Sequence, residues 1–332
     1  MNIAIVGATG KVGSMFIKVL QERNITADNF YLYASSKSAG KKVSIFGKEY
    51  EVLLLDKSNI VDKKIDYALF SAGGNLSKEY APLFVSIGAV VIDNSSAWRR
   101  DKDVPLVVPE VNAEDILLNK GIIANPNCST IQAMLPLRAL QKFGLKRIIF
   151  STYQAVSGAG QKGYEDLQNG INGEAPKKFV HPIFSNVIPH IDDFLANGYT
   201  KEEDKMIFET KKILHDQNLN ITATTVRVPV FDCHSESTNV EFSMPFTMDD
   251  IHKALQSQEN LIVVDDPKSN SYPMPISIAG KDEVYVGRIR RDYSTDNAIN
   301  MWVVADNIRK GAATNAVQIL QKLLEYKAEG KL

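Results

Sequence analysis

The amino-terminal third of the chain alternates short apolar segments with segments of helical periodicity. The first apolar segment, Asn2–Val6, is followed by a glycine-containing turn and then by apolar residues at helical spacing. Four further apolar segments predict strands, at 30–34, 66–70, 89–93 and 121–124. A helix is predicted between two of them, at 75–87. Strands and helices in this alternation predict a doubly wound parallel sheet.

Beyond residue 128 the pattern changes to longer segments in which apolar and polar positions alternate. Two of them, 221–228 and 238–243, predict strands. A helix is predicted from Thr200 to His215, with Glu203 completing a capping box at its start. The last helix is predicted at 306–326. We therefore expect a Rossmann-type α/β domain formed by 1–127 with 306–332, and an α+β domain formed by 128–305.

Composition is that of a folded globular protein and excludes several classes of function. A chain of 332 residues is longer than a single hydrophobic core usually supports, so two domains are expected. A formal net charge of -1, without a basic stripe, argues against a nucleic-acid partner. No apolar segment approaches the ~20 residues that cross a bilayer, so a soluble, cytoplasmic protein is expected. Only two cysteines occur, which cannot form a disulfide framework and fits a reducing compartment.

The turn after the first strand has the composition of a dinucleotide-binding site. Its glycines have a G-x-x-G-x-x-G spacing, in which the backbone can approach a pyrophosphate at the start of a helix. A tight strand-to-helix connection is the alternative. The predicted cofactor contacts here are Gly7, Thr9, Gly10, Lys11, Val12 and Gly13. A second cofactor loop is predicted at Ser71 and Gly73, because ligands collect at the carboxyl ends of parallel strands.

The end of the second strand indicates which dinucleotide binds. NAD-selective sites usually place an acidic residue there to hold the ribose 2′-hydroxyl. This chain has instead Ser36, Lys37 and Ser38, whose hydroxyls and cation suit a 2′-phosphate. A solvated loop lysine is the alternative. The predicted cofactor is therefore NADP.

Cys128 is the candidate nucleophile. It lies in the sequence Asn-Pro-Asn-Cys-Ser-Thr, directly before an apolar helical pattern, and so at a helix start. There the helix dipole and unpaired backbone amides stabilise a thiolate, which lowers a thiol pKa from about 8.5 toward neutrality. A cysteine that packs as a small apolar residue is the alternative.

This sequence, at its distance from an amino-terminal Gly-Ala-Thr-Gly-x-Val-Gly, resembles the active-site signature of the aspartate-semialdehyde dehydrogenase family. Further matches to that family follow in order along essentially the whole chain. They are Gln154 with Ser157-Gly158-Ala159-Gly160, then Glu209-x-x-Lys212, then Arg227-Val-Pro-Val-x-x-x-His234-Ser-Glu.

The resemblance implies a phosphorylating, NADP-dependent aldehyde dehydrogenase of amino-acid biosynthesis. In it L-4-aspartyl phosphate is reduced, reversibly, to L-aspartate 4-semialdehyde and phosphate. Cys128 would attack the acyl carbon and form a thioester, and His234 would take the thiol proton as general acid/base. Cysteine suits this chemistry because serine would form too inert an ester. The backbone amide of Cys128, with Asn127, would supply donors to the tetrahedral oxyanion.

The resemblance also assigns the remaining site residues. Phosphate binding falls to Arg99 and Lys212. The amino-acid end of the substrate falls to Gln154, Glu209 and Arg227, and an arginine fork suits a carboxylate. The nicotinamide end of the cofactor falls to Ser157, Gly158 and Asn307.

Several of these residues have ordinary structural explanations. Glu209 and Lys212 could form a surface helix pair. One of Arg99 and the neighbouring Arg100 is expected to be solvated only, and His234 could be a loop histidine. No metal site is expected, because adjacent cysteine and histidine fall short of a ligand set.

The chain departs from the commonest family pattern at two positions. Lys37 stands where arginine is frequent, which keeps the charge but loses the planar group that stacks on adenine. Cys233 stands before His234 where glycine is usual, and we expect it to pack.

Two other functions compete with this interpretation. An N-acetylglutamyl-phosphate reductase-type enzyme shares the chemistry but usually has glycine before the cysteine, so Asn127 and the Glu209/Lys212 pair favour the aspartyl substrate. A non-catalytic NADP-binding regulatory paralogue is disfavoured by the presence of both Cys128 and His234.

The resemblance further implies a homodimer, formed by an exposed sheet face of the second domain. Alternation along 221–228 places Ala223, Thr225 and Arg227 on one side of the strand. That side is expected to face the substrate pocket.

Overall fold

The computed structural model describes all residues from 1 to 332. The chain divides into two compact units, one formed by Met1–Pro126 with Ala312–Leu332 and the other by Asn127–Gly311. None of the helices combines the length and the apolar character that a bilayer crossing requires.

The first unit is built on a seven-stranded sheet. Its strands are β1 (Asn2–Val6), β2 (Asn29–Ala34), β3 (Lys42–Ile45), β4 (Lys48–Leu54), β5 (Tyr67–Phe70), β6 (Val90–Asp93) and β7 (Ile122–Ala124). They lie in the order β3-β4-β2-β1-β5-β6-β7. Only β3 and β4 pair antiparallel; the other neighbours are parallel. The helices of this unit's amino-terminal part are α1 (Lys11–Glu22), α2 (Gly74–Ser86) and α3 (Pro109–Asn112).

Helices cover both faces of this sheet, so its central strands are buried on both sides. Ile3 and Ile5 of β1 pack into one apolar layer together with α1 and the carboxyl-terminal helix. Ala4 and Val6 point the other way, into a layer that includes Phe84 of α2. The doubly wound sheet expected from the apolar pattern is confirmed.

The β3–β4 hairpin was not predicted. Phe46 and Gly47 form its two-residue turn, with φ of 49° and 75°. Hairpin turns of this kind usually carry Asn-Gly or Asp-Gly, and a phenylalanine in the left-handed region has no such signature. Along β3 only Ile45 is fully buried, so the strand lacks the apolar alternation that would identify it.

The second unit contains a six-stranded sheet. Its strands are β8 (Leu145–Gln154), β9 (Asn220–Arg227), β10 (His234–Phe242), β11 (Leu261–Val263), β12 (Val284–Asp292) and β13 (Ala298–Ala305), in the order β11-β12-β13-β10-β8-β9. The pairs β8/β9 and β11/β12 are parallel, and the others are antiparallel. The helices are α4 (Cys128–Leu140), α5 (Gln161–Ile171), α6 (Lys201–Ile213), α7 (Met248–Gln256) and α8 (Pro275–Ile278).

One face of this sheet is buried and the other is partly open. Helix α4 packs against β8, β10 and β13. Along β9 Ala223, Thr225 and Arg227 are buried, while Thr224 on the opposite side is exposed. The predicted alternation is therefore confirmed, with the Arg227 side inward.

The start of α6 follows the predicted capping box. The Thr200 side chain accepts the Glu203 N–H at 3.3 Å, and the Glu203 carboxylate accepts the Thr200 N–H at 2.7 Å. Glu203 also accepts the N–H of Thr225 at 3.0 Å, which joins the helix to the edge strand β9.

Two predicted boundaries were wrong. Strand β10 begins at His234 and not near residue 238, because its first residues are polar side chains that are nevertheless buried. The last α-helix, α9, spans Asn315–Ala328, and not 306–326. Asp306 accepts the N–H groups of Ile308 and Arg309, and the chain then makes a π-helical turn over Arg309–Thr314 before the α-helix starts.

Candidate active site

Three strand ends meet at one edge of the second sheet. Gln154 ends β8, Arg227 ends β9 and His234 begins β10. Gln154 and Arg227 are register partners in the parallel pair. All three side chains are buried, so this edge gathers polar groups away from solvent.

Cys128 is the first residue of α4. The Asn127 side chain caps the helix, since its Oδ1 accepts the N–H of Ser129 at 3.0 Å and that of Thr130 at 3.4 Å. The thiol forms no disulfide, and the residue is partly exposed. The predicted position at a helix start is confirmed, and it is the position at which backbone amides stabilise a thiolate.

The electrostatics around Arg227 connect it with the cysteine and the histidine. Burial lowers the pKa of Arg227, while the negative charges of Glu202 and Cys128 oppose that shift. Burial, and then the Arg227 charge, lower the pKa of His234 well below its usual value. The guanidinium is held in place by donating from Nη1 to the carbonyl of Ala155 at 2.7 Å.

Two glycines allow the backbone to approach these groups closely. A Cβ on Gly158 would lie 2.8 Å from Arg227 Nη1 and 3.2 Å from His234 Nε2. A Cβ on Gly311 would lie 2.9 Å from the Cβ of Cys128. Gly311 was not predicted, because the close approach is between segments that are distant in sequence.

The hydrogen bonding of His234 determines its tautomer. Nδ1 accepts the backbone N–H of Ala155 at 3.0 Å. A nitrogen that accepts carries no proton, so the neutral ring has its proton on Nε2. Nε2 is buried and has no partner within the protein, and it is therefore a donor available to a ligand. His234 is fully buried at the start of a strand, so the loop-histidine alternative was wrong.

Glu202 joins two of the predicted catalytic residues and was not predicted itself. Its Oε1 accepts from Asn127 Nδ2 at 2.9 Å and from Gln154 Nε2 at 3.2 Å. Burial alone would raise the pKa of Glu202, but Lys205 and these amide donors lower it below its ordinary value. The buried face of α6 includes Glu202, Met206, Glu209 and Ile213, and this helical spacing was the signal that could have identified it.

Glu209 is buried beside the nucleophile's helix. Its Oε2 accepts the backbone N–H of Asn127 at 2.6 Å. The alternative explanation, an ordinary surface pair of Glu209 and Lys212, is therefore wrong for Glu209, whose side chain is 1% exposed. Lys212 lies one turn further along α6 and is half-buried.

Asn307 presents a second unpartnered donor. Its Oδ1 accepts from the Ser157 hydroxyl at 3.0 Å and from the Cys233 N–H at 3.1 Å, and its buried Nδ2 has no protein partner. Cys233 packs in an apolar cluster with Ile278, Tyr285 and Val304, as expected. Its φ of 71° explains why glycine suits this position.

The predicted cofactor loops of the first unit lie against one another. A Cβ on Gly7, whose φ is +85°, would lie 2.3 Å from the carbonyl oxygen of Ser71. A Cβ on Gly13 would lie 2.1 Å from the carbonyl oxygen of Gly7. The Thr9 hydroxyl donates to that of Ser38 at 3.1 Å, which links the glycine turn to the loop of Ser36 and Lys37.

Arg99 is in the first unit, on the loop after β6. It is buried and donates to the carbonyl of Asn94 at 2.9 Å, whereas Arg100 is exposed. No group of three or more histidine, cysteine, aspartate or glutamate residues could hold a metal ion.

Two family models match the chain. They are the semialdehyde dehydrogenase NAD binding domain, over residues 2–118, and the semialdehyde dehydrogenase dimerisation domain, over residues 134–310. The chain belongs to the semialdehyde dehydrogenase family, and it combines a dinucleotide-binding Rossmann-type domain with a dimerisation domain. The predicted fold class and family resemblance are confirmed.

Its similar relatives are aspartate-semialdehyde dehydrogenases. The one from Aquifex aeolicus is 56% identical over 334 residues, covering 98% of each chain. The one from Bacillus subtilis is 45% identical, covering 97% of each. A solved structure of aspartate semialdehyde dehydrogenase II from Vibrio cholerae, complexed with ASA, matches with a TM-score of 0.92 and 44% identity over 98% of each chain. The Candida albicans enzyme with NADP matches with a TM-score of 0.76 and 27% identity, covering 100% of this chain and 99% of that one.

Proposed function

We propose that the protein is an aspartate-semialdehyde dehydrogenase of amino-acid biosynthesis. It reduces L-4-aspartyl phosphate with NADPH to L-aspartate 4-semialdehyde and phosphate, reversibly. The observation that carries this proposal is a cysteine outside any disulfide at a helix start, in the same unit as the buried Arg227 and His234. Full-length identity of 56% to the Aquifex aeolicus enzyme supports the choice of substrate.

Cys128 forms the covalent intermediate. Its thiolate attacks the acyl carbon, the new carbon–sulfur bond replaces the carbon–oxygen bond to phosphate, and phosphate leaves. The amino terminus of α4, where the Asn127 side chain caps the N–H groups of Ser129 and Thr130, stabilises the thiolate. It also offers the Cys128 amide to the tetrahedral oxyanion. Asn127 supports this arrangement chiefly as the cap, since one Nδ2 hydrogen is directed to Glu202.

His234 acts as a neutral donor in this proposal, and not as the base that takes the thiol proton. With Nδ1 accepting from Ala155, its proton is on Nε2. Bound NADPH supplies the hydride that reduces the thioester. The carbonyl oxygen then gains negative charge, which Nε2–H stabilises until the carbon–sulfur bond breaks and releases the aldehyde. Breaking the carbon–sulfur bond regenerates the Cys128 thiolate, and the phosphate released in the first step takes one proton from water. Electrons and protons therefore balance without a proton leaving or entering the imidazole.

The remaining polar groups position the substrate. Arg227 suits its carboxylate, since the buried guanidinium has a donor, Nε, without a protein partner. Glu209 suits its ammonium group, and Gln154, fixed by Glu202, orients the acyl end. We assign the phosphate to Lys212 and Arg99.

The proposed cofactor is NADP, and the residues fit it in each unit. In the first unit Gly10 and Gly73 are exposed, so the glycine turn and the 71–74 loop can offer backbone to a pyrophosphate. The other residues proposed to support it are Thr9, Lys11, Val12 and Ser71. Ser36, Lys37 and Ser38 suit the 2′-phosphate. In the second unit Asn307 Nδ2 is a buried donor for a carboxamide, beside Ser157 and near Gly158.

We also propose the functional division of the chain and its assembly. Residues 1–127 with 306–332 bind the cofactor, and 128–305 carry catalysis and dimerisation. The open face of the second sheet forms a homodimer, because it includes partly exposed positions such as Tyr153, Thr224 and Trp302. Neither cysteine forms a disulfide, which supports a cytoplasmic location.

One assay distinguishes the three candidate functions. The protein is mixed with L-aspartate 4-semialdehyde, phosphate and NADP, and the absorbance of NADPH is followed. Phosphate-dependent formation of NADPH is expected. Turnover with N-acetyl-L-glutamate 5-semialdehyde instead would indicate the related reductase. Coenzyme binding without turnover of either substrate would indicate a regulatory paralogue.

A further inference from the structure

Glu236 is a buried acid that the proposed reaction does not use. It lies on β10, two residues after His234, and its side chain is 0% exposed. Neither carboxyl oxygen has a hydrogen-bond partner within the protein. Because side chains alternate along a strand, His234, Glu236 and Thr238 share the buried side of β10, at intervals of about 7 Å.

The elements packed against Glu236 offer it no cation. Its register partners are Thr152 on β8 and Val303 on β13. Helix α4 lies over the same side of the sheet and contributes the buried Thr130 and Gln132. His234 is the titratable side chain nearest along the strand, Cys128 stands at the start of α4, and Arg138 near its end is exposed.

This layer joins the two parts of the proposed catalytic site. Gln132, one helical turn after Cys128, donates from Nε2 to the carbonyl of His234 at 3.3 Å. Its Oε1 is buried without a partner, as are the hydroxyls of Thr130 and Thr238. The helix carrying the nucleophile and the strand carrying the imidazole therefore meet through a polar layer that includes several unpartnered oxygens.

The hydrogen-bond donors and acceptors of this layer indicate whether it can hold Glu236 as a carboxylate or as a neutral carboxylic acid. A carboxylate would add two acceptors and a buried charge to a layer that already has an unpartnered acceptor in Gln132 Oε1. A protonated carboxyl adds a donor instead, and buried polar groups are as a rule partnered. Burial, acting without any charged neighbour, raises the pKa of Glu236 well above its usual value.

We propose that Glu236 is held as a neutral carboxylic acid whose O–H completes the polar layer between α4 and β10, and thereby positions His234 relative to Cys128. Glu236 touches no substrate in this proposal, so it is a positioning residue. Its effect on turnover rests on the proposed function, whereas its protonation does not.

Infrared difference spectroscopy of the wild type against Glu236→Gln tests the protonation. The carbonyl stretch of a protonated carboxyl group, which lies above the amide band, should be present at neutral pH and lost in the variant. Glu202→Gln is the matched control, because Glu202 is also buried but has a lowered pKa, and it should remove no such band. If Glu236→Gln also removes none, the neutral acid is excluded.

The pH dependence of unfolding gives a second, independent measurement. A raised pKa in the folded state means that the unfolded state loses its proton first, from about pH 4.3 upward. The folding equilibrium constant of the wild type relative to Glu236→Gln should therefore fall, by up to about tenfold per pH unit, as pH rises toward the folded pKa. A ratio that is constant with pH would overturn the proposal.

Steady-state kinetics test the positioning role. Glu236→Gln keeps the shape and a donor, so its kcat should stay close to wild type. Glu236→Leu keeps the volume without the donor, so it should fold but lose between about tenfold and a hundredfold in kcat, with an unchanged KM for NADP. Wild-type kcat in the leucine variant would refute positioning. If the wild type itself turns over none of the substrates, the proposed function fails, while the spectroscopic and unfolding results still decide the protonation.

Discussion

Cys128 depends on a neighbour for its reactivity, because Asn127 caps the helix that begins with the cysteine. Replacing Cys128 with serine leaves that cap intact. The hydroxyl forms its anion far less readily, and the resulting ester is less reactive toward reduction. We predict that Cys128→Ser retains the fold and binds NADPH like the wild type, but loses at least about a thousandfold in kcat.

Fluorescence titration with NADPH and the phosphate-dependent assay measure the two parts of this prediction. Asn127→Ala provides a useful comparison, because it removes the cap and keeps the thiol. Turnover by the serine variant at a rate near wild type would rule out the thioester.

His234 should remain neutral in the resting protein. Burial and Arg227 lower its pKa, and protonation of Nδ1 would break its bond with the Ala155 N–H. A lowered folded pKa means that the unfolded state binds the proton first, so this contribution to stability is lost as pH falls below about 6.5, by up to about 1.4 kcal/mol per pH unit.

Nitrogen-15 NMR of the imidazole ring measures this state directly. The pattern of the Nε2-protonated tautomer should persist from neutral pH down to the onset of acid unfolding. An imidazolium signal in the folded protein near pH 6 would contradict the neutral-donor role and favour His234 as a general acid/base.

Single-residue predictions from sequence succeeded where a motif identified the residue. Cys128 at a helix start followed from the apolar pattern behind it, and the burial of Arg227 followed from strand alternation. Glu202 was missed although its helical spacing to Met206 and Glu209 was a signal, and Glu236 was noted only as part of a motif, because a glutamate alone gives no sign of being buried. Their environment comes from α6 and α4 packing on a sheet whose strands are far apart along the chain.

Among the helices and strands, the sequence predicted those features that residues close together along the chain determine. The capping box of α6 and the strand before the glycine turn lie where expected. The β3–β4 hairpin and the π-helical turn at Arg309–Thr314 were not predicted. The Phe46 N–H donates to Gln21, and Asp306 accepts the N–H of Gly280 as well as those of its near neighbours. The intrinsic preferences of the local residues do not indicate such tertiary contacts.

The loop after β2 carries the prediction on cofactor choice. Lys37 is exposed there, beside the hydroxyl pair of Thr9 and Ser38. Lys37→Ala removes the cation proposed for the 2′-phosphate, so it should raise the KM for NADP and leave the KM for NAD unchanged. The preference for NADP over NAD should therefore fall by roughly tenfold. Lys41→Ala, on the same loop, is the control. An unaltered NADP/NAD ratio would assign the 2′-phosphate to other residues.

At the scale of the whole molecule, the open face of the second sheet predicts that the protein is a homodimer. Its inner face is covered by α4, and its outer face has half-buried residues such as Trp302 and Val226, which a second copy would cover. Light scattering at micromolar concentration should give about twice the 36.8 kDa chain mass. An arginine in place of Thr224, exposed on this face, should shift the protein toward monomers. An active monomer of the unmodified chain would disprove the dimer.

Gly311 places a limit on how this sequence can vary. The space in front of its α carbon is already taken by the Cβ of Cys128, 2.9 Å from where a methyl group would stand. Position 311 therefore contributes no chemistry and yet tolerates no side chain. In a saturation library screened for phosphate-dependent formation of NADPH, alanine at 311 should be as rare among active variants as serine at 128, and a survey confined to polar positions would overlook it. Such a library would outline the reaction site by its glycines as clearly as by its functional groups.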